Sequence, residues 1–125
     1  MEGKKFATAI ACIDGRFHQQ LTDWIVDEYG VDYVDMPTIP GPDKVVSEDS
    51  EFAEALKYGV GISNKGHHSE LLVMTGHEDC AANPISNDEH KEQIKKSVEN
   101  LKSWGFSGQI IGVFIDIDCN CEIVA

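Results

Sequence analysis

The chain has 125 residues, of which 42% are hydrophobic and 26% charged, and it carries a formal net charge of -12 at pH 7. This length suits one domain with a sizeable core, so we predict a single domain over residues 1-125. The negative charge argues against nucleic acid or a membrane surface as a partner, and no apolar run approaches the roughly 18 residues that cross a bilayer.

The first predicted element is the nearly continuous apolar stretch "KFATAIAC", which is typical of a strand covered on both faces. Its lysines and apolar residues also mimic a short signal peptide, but the stretch is brief and runs straight into "IDGR". Without a signal peptide, the four cysteines are expected to be reduced thiols in a cytoplasmic protein.

A helix and a second strand follow in the first half of the chain. Between residues 16 and 29 the apolar side chains recur at helical spacing, and Gly30 stands where a C-cap glycine would. "VDYVDM" is then typical of a second strand. "PTIPGPD" predicts a loop, because its prolines and glycine interrupt both a ladder and a helix.

The second half repeats the alternation of helix and strand. Apolar side chains four residues apart predict a second helix from Ser47 to about Asn64. "ELLVMTG" predicts the third strand. Ser86 and Glu89 form a capping box that opens a third helix, and Gly105 ends it before a fourth strand, "QIIGVFIDI".

This alternation predicts an α/β fold with a mostly parallel four-stranded sheet, in the order 2-1-3-4, flanked by helices. In such sheets, ligands bind beyond the carboxyl ends of the strands, where the strand order reverses. That point lies here between the first and third strands. Cys12 ends the first strand while His77 and Cys80 follow the third, so we expect these three side chains to meet.

Cys12, His77 and Cys80 are a donor set that zinc prefers. Zinc takes about four ligands in a tetrahedron, and thiolate sulfur and imidazole nitrogen are its usual donors. The HxxC spacing lets His77 and Cys80 face the same way from a tight turn or from a first helical turn, while Cys12 arrives from the adjacent strand. With three protein ligands, the fourth position can hold water or substrate, as in a catalytic zinc site.

Two motifs, CxDxR after the first strand and HxxC within "LLVMTGHEDCA", resemble the beta class of carbonic anhydrases over roughly residues 6 to 116. The resemblance implies that Cys12, His77 and Cys80 bind Zn2+ and that Asp14 and Arg16 form the catalytic dyad. It also implies a carbonate dehydratase, which hydrates CO2 reversibly to bicarbonate by a zinc-bound hydroxide, and an assembly that is at least a homodimer.

Two roles are open to Asp14. It can accept a hydrogen bond from the zinc-bound hydroxide, or it can itself occupy the fourth position on the metal. A bidentate pair with Arg16 would draw the carboxylate off the metal. Since two thiolate ligands also reduce the charge of the ion, we expect activity to rise on the alkaline side.

Three functions remain open from the sequence. The first is CO2 hydration, the second is the same chemistry on carbonyl sulfide or carbon disulfide, and the third is a non-catalytic zinc protein in which Asp14 closes the site. The family's Arg-Asn-Ala-Gly pocket segment is replaced by "DMPTIPGPDKV", and Ala81 stands where many relatives have glycine. The family's long N-terminal arm is also lacking, so we expect a different pocket wall and a smaller or differently made dimer.

The residues between and beside the motifs are expected to have lesser roles. Glu78 and Asp79 are expected to be solvated near a helix start, and one of them could accept the free N–H of His77. Cys12 and Arg16 are four positions apart, whereas a phosphatase loop needs six, which excludes that alternative.

The other histidines and cysteines are weighed in the same way. His18 could shuttle protons near neutral pH, while His67 and His68 belong to the opposite edge of the sheet. His90 is expected to be solvated on an outer helix. The cysteines of "DIDCNC" are expected to be free thiols, because two residues cannot close a metal site.

Overall fold

The protein is described by a computed structural model that covers residues 2–125. Five strands form its sheet: β1 (Phe6–Ile10), β2 (Tyr33–Asp35), β3 (Leu71–His77), β4 (Gln109–Ile115) and β5 (Cys121–Ile123). They lie in the order β2-β1-β3-β4-β5. The first four strands are parallel, which confirms the predicted α/β class and the order 2-1-3-4.

The fifth strand is a correction to the predicted four-stranded sheet. β4 ends at Ile115, and the Asp116 carboxylate then accepts the backbone N–H groups of Asp118 and Asn120 at 2.9 and 3.0 Å. This turn reverses the chain, so β5 pairs antiparallel with β4. β5 has only three residues, partly or fully exposed, and three residues are too few for an alternating pattern to predict a strand.

Within residues 2–125, four α-helices cover the sheet: α1 (His18–Tyr29), α2 (Pro42–Ser47), α3 (Ala53–Gly66) and α4 (Asn87–Leu101). The predicted helix from Ser47 to Asn64 is wrong at its start, because α2 begins inside the predicted loop and a break separates it from α3. Pro42 occupies the first helical position, where its missing N–H costs nothing. Asp49 has a positive φ of 50°, which interrupts the helix between the two segments.

The end signals of the other helices are confirmed. Gly30 adopts the left-handed conformation after α1, with a φ of 66°, and its N–H donates to the carbonyl of Val26 at 2.9 Å. Ser86 and Glu89 form the complete capping box that starts α4. A 3-10 turn over Lys102–Trp104 continues α4 before the left-handed Gly105.

The core consists of one apolar layer on each face of the sheet. Leu21 and Ile25 of α1 are fully buried on one face, and Leu56 and Leu101 of α3 and α4 lie in the cluster on the other face. All seven residues of β3 are buried, because helices cover both sides of this central strand.

The layout of the sheet fixes where a ligand site can form. β1 has β2 on one side and β3 on the other, so the strand order reverses between β1 and β3. After β2 the chain stays beside the end of β1, where the N–H of Ala11 donates to the carbonyl of Pro37 and that of Ile39 to the carbonyl of Ala11, both at 3.1 Å. This pairing carries Gly41 and α2 to the edge of the sheet where β1 and β3 end.

Within residues 2–125, no helix combines the length and the apolar character that crossing a membrane requires.

Candidate metal centre

Cys12, His77 and Cys80 meet at the carboxyl ends of β1 and β3. One ligand atom of each residue lies within 4.8 Å of the other two, and no other such group occurs in the part of the chain that the structure describes. All three residues are buried, with 3 to 7% of their surface exposed. Two sulfurs and one nitrogen at this spacing can surround a single ion.

The turn between β3 and α4 lets His77 and Cys80 face the same side. Asp79 has a left-handed φ of 59°, which aspartate tolerates better than most residues. The HxxC spacing therefore depends on this turn, rather than on a helical first turn.

The His77 ring is oriented as a metal ligand would be. Its Nδ1 donates to the carbonyl oxygen of Glu78 at 2.8 Å, and the ring packs against Phe17 with the centroids 4.5 Å apart. Nε2 is buried and has no hydrogen-bond partner among residues 2–125. Glu78 is therefore the partner of the His77 N–H, as predicted for one of the two acidic residues, but it accepts through its backbone carbonyl.

Backbone N–H donors face both ligand cysteines, but the pKa is lowered only for Cys12 and is raised for Cys80. Burial by itself raises the pKa of the Cys12 thiol, but the His77 imidazole and the backbone N–H groups of Gly41 and Asp14 lower that pKa to about 7. Burial and the neighbouring Cys12 raise the pKa of Cys80, although the N–H groups of Ala82 and Asn83 oppose this.

The pKa of His77 is raised, whereas that of Cys12 is lowered. Burial lowers the pKa of His77, but the Cys12 sulfur and the Glu78 carbonyl outweigh it and raise the pKa above the usual value. The Cys12 sulfur and the His77 ring thus favour each other's charged forms, and a divalent cation replaces protons when it binds such ligands. The donor set, the spacing and the unpartnered Nε2 therefore fit a thiophilic metal ion.

Asp14 and Arg16 form a close ion pair beside this cluster. Arg16 Nε lies 3.1 Å from both carboxylate oxygens of Asp14, and Nη2 lies 2.7 Å from Oδ2. The Arg16 guanidinium holds the pKa of Asp14 down to about 2. The Asp14 carboxylate is not part of the group of ligand atoms within 4.8 Å of one another.

A second anchor holds the Arg16 side chain in place. Its Nη1 donates to Asp79 Oδ2 at 3.1 Å, and Nη2 donates to the Asp79 carbonyl at 3.0 Å. Arg16 thus joins the loop of the first motif to the turn of the second. Asp79, expected to be only a solvated residue, is 72% exposed but pairs with Arg16.

The remaining histidines are placed in different ways. His18 Nε2 bonds the Cys12 carbonyl at 2.7 Å, so that atom is already engaged. His67 pairs with Asp35 at 2.6 Å beside the amino end of β3, away from the cluster as expected. The expectation that His90 is solvated is wrong, since it is fully buried and its Nδ1 lies 2.5 Å from Asp43 Oδ2.

The sequence contained a signal for the burial of His90. Ile94 and Val98 mark the inner face of α4, and His90 precedes Ile94 by one helical repeat of four residues. No comparable signal identified its partner Asp43, because that residue lies in the segment predicted to be a loop.

Cys119 and Cys121 take no part in the cluster. Both are free thiols of intermediate burial, and Cys119 Sγ lies 3.8 Å from the carbonyl oxygen of Arg16. Burial raises the pKa of Cys121 to about 11.

The fold and the site together define the class of protein. It is an α/β protein whose mostly parallel sheet carries a candidate metal site, made of two sulfurs and one nitrogen, where the strand order reverses. The sequence matches, over residues 2–125, the family described as "Putative carbonic anhydrase", and the chain belongs to that family. The resemblance to beta-class carbonic anhydrases is confirmed. No curated protein matches the sequence.

Solved structures share the fold at low sequence identity. A structure from a study of two tetrameric beta-carbonic anhydrases of Sordaria macrospora matches with a TM-score of 0.53 and 14% identity, covering 97% of this chain and 81% of the other. The beta-carbonic anhydrase CafA of Aspergillus fumigatus matches with a TM-score of 0.53 and 13% identity, covering 98% and 76%. At this identity, the likeness concerns the fold.

Proposed function

We propose that this protein is a zinc-dependent carbonic anhydrase that hydrates CO2 reversibly to bicarbonate, with Cys12, His77 and Cys80 as the metal ligands. The observation that carries the proposal is the buried meeting of two sulfurs with the unpartnered Nε2 of His77. Membership of the carbonic anhydrase family supports the reaction.

Bound by these three residues, zinc would act as a Lewis acid that makes hydroxide available near neutral pH. Asp14 is a carboxylate beside the cluster that stays ionised at neutral pH, because its pKa is about 2. In this position it can accept a hydrogen bond from the attacking hydroxyl group and so fix the direction of attack. Arg16 holds Asp14 through its bidentate contacts.

The Arg16 contacts also bear on the non-catalytic alternative, in which Asp14 closes the metal site. To reach the metal, Asp14 would have to give up its contacts with the Arg16 guanidinium. The Arg16 side chain is kept from moving with Asp14 towards the metal, because two hydrogen bonds join its guanidinium to Asp79. These contacts favour a fourth position open to water and substrate.

The proposal includes a single-domain homo-oligomer, at least a dimer, in the cytoplasm. The Sordaria macrospora structure comes from a study of enzymes described as tetrameric. Ile13, next to the ligand Cys12, exposes 58% of its surface and Phe52 exposes 61%, which suits burial against a second copy. Four free thiols suit a reducing compartment. Light scattering at several protein concentrations tests the assembly.

The test of the function is stopped-flow CO2 hydration on protein of measured zinc content, with the Cys80→Ser variant as control. We expect one zinc per chain and activity in the wild type, and loss of both in the variant. Activity that survives loss of the metal would overturn the mechanism. A parallel assay with carbonyl sulfide distinguishes the second substrate class, since faster turnover of that molecule would replace CO2 as the substrate.

A further inference from the structure

Behind the candidate metal centre lies a buried polar cluster formed by Asp43, Asn83, His90 and Gln93. Asp43 is 1% exposed and His90 is fully buried. Asp43 Oδ2 accepts a hydrogen bond from His90 Nδ1 at 2.5 Å, and Oδ1 accepts one from Asn83 Nδ2 at 3.1 Å. Asn83 Nδ2 also lies 2.8 Å from Gln93 Oε1. The reaction described above uses none of these side chains.

Burying an ionisable pair in the core is costly, so the position of Asp43 calls for a reason. Its carboxylate lies against the backbone of Gly76, where a Cβ atom would come within 2.6 Å of Oδ2. Gly76 directly precedes His77. The Asp43 carboxylate thus packs directly behind the strand end that carries the nitrogen ligand.

Asp43 is also linked to the segments that carry both sulfurs. Asp43 accepts a hydrogen bond from the side chain of Asn83. The backbone N–H of Asn83 donates to the Cys80 carbonyl at 3.3 Å. The N–H groups of Ala82 and Asn83 also face the Cys80 sulfur. On the other side, Gly41 packs so closely on Asn83 that a Cβ would lie 3.3 Å from its Cβ. The N–H of Gly41 faces the Cys12 sulfur.

We propose that Asp43, fixed by His90, is a positioning residue that holds the three ligand-bearing segments in register and aims backbone N–H groups at both ligand sulfurs. This inference deepens the proposed function and rests on it. Hydrogen bonds to ligand sulfurs and outer partners of ligands tune metal affinity, and their loss typically costs about 10- to 100-fold.

The Asp43→Asn variant tests the inference with little change in shape. A carboxylate accepts hydrogen bonds at both oxygens, whereas an amide has one oxygen, so either His90 or Asn83 loses its partner. We expect zinc affinity, measured by competition with a chromogenic chelator, to fall about 10- to 100-fold. In the cobalt-substituted protein we expect the thiolate-to-cobalt absorption band to shift.

The matched control is Asn100→Ala, which removes hydrogen bonds between α2 and α4 at a point away from the site. Asn100 Nδ2 donates to the carbonyls of Val46 and Ser47 at 2.9 and 3.2 Å, at the far end of α2. This variant should melt at a lower temperature than the wild type but keep its zinc affinity and its cobalt spectrum. An equal loss of zinc affinity in Asn100→Ala would overturn the inference, because general stability would then explain the effect.

Gln93→Ala keeps the inference testable if Asp43→Asn does not fold. Gln93 is partly exposed and contributes only the second partner of Asn83, so its removal should be tolerated and should weaken zinc binding to a smaller extent. If Gln93→Ala, or an Asp43→Asn variant that folds, binds zinc as tightly as the wild type, the inference is overturned and the proposed function is left intact. A wild-type protein that binds no zinc would overturn both.

Discussion

Replacing Arg16 with glutamine separates the position of Asp14 from its charge. In the native protein, Arg16 reaches both Asp14 oxygens from Nε at 3.1 Å and Oδ2 from Nη2 at 2.7 Å. A glutamine amide is shorter and carries one donor nitrogen, so it cannot reproduce this fork. The pKa of Asp14 should then move from about 2 back towards 3.8.

This shift leaves Asp14 ionised at neutral pH in both proteins. Any loss of activity near pH 8 therefore reports the position of the carboxylate rather than its charge. Misplacing a catalytic group by about 1 Å can cost about 100-fold in rate, and we expect a loss of this order in kcat/KM for CO2 hydration. Zinc binding should persist, because Arg16 contacts none of the three ligand side chains.

The assay is stopped-flow CO2 hydration, expressed per bound zinc. Arg16→Lys keeps the positive charge without the fork, so it should also lose activity. Lys95→Gln removes a cation from an exposed pair with Glu92, 3.3 Å apart, and should be as active as the wild type. Wild-type activity per zinc in Arg16→Gln, or full activity in Arg16→Lys, would refute the reasoning.

Three further predictions concern packing and pH. In Gly76→Ala, the new Cβ would lie 2.6 Å from Asp43 Oδ2, so urea unfolding should show a loss of about 1–3 kcal/mol. Gly61→Ala, which meets no atom within 4 Å, should not be destabilised, and equal losses would contradict this account. Because folding lowers the pKa of Asp14 from 3.8 to about 2, its contribution to stability is present above pH 3.8 and is lost as the pH falls through 2. The melting temperatures of the wild type and Asp14→Asn should therefore converge over this range, and a constant gap would argue against it. Finally, two thiolate ligands weaken the Lewis acid, so CO2 hydration should accelerate from about pH 6.5 to 9, whereas a flat profile would exclude this assignment.

The sequence by itself determined the features that depend on neighbouring residues. The apolar run of β3, the glycine after α1 and the capping box of Ser86 and Glu89 each act within a few residues, so their patterns can be recognised before folding. The parallel order then places the ends of β1 and β3 side by side. That adjacency is why the meeting of Cys12 with His77 and Cys80 could be predicted from two short motifs.

Only the tertiary structure decided which polar side chains support that cluster. Asp43 and His90 are 47 residues apart, and Arg16 and Asp79 are 63 apart, so neither pair leaves a local pattern. Their hydrogen bonds form because packing brings α2 onto α4 and the first motif onto the second. The three-residue strand β5 also depends on tertiary structure, because its hydrogen-bond partners are supplied by β4.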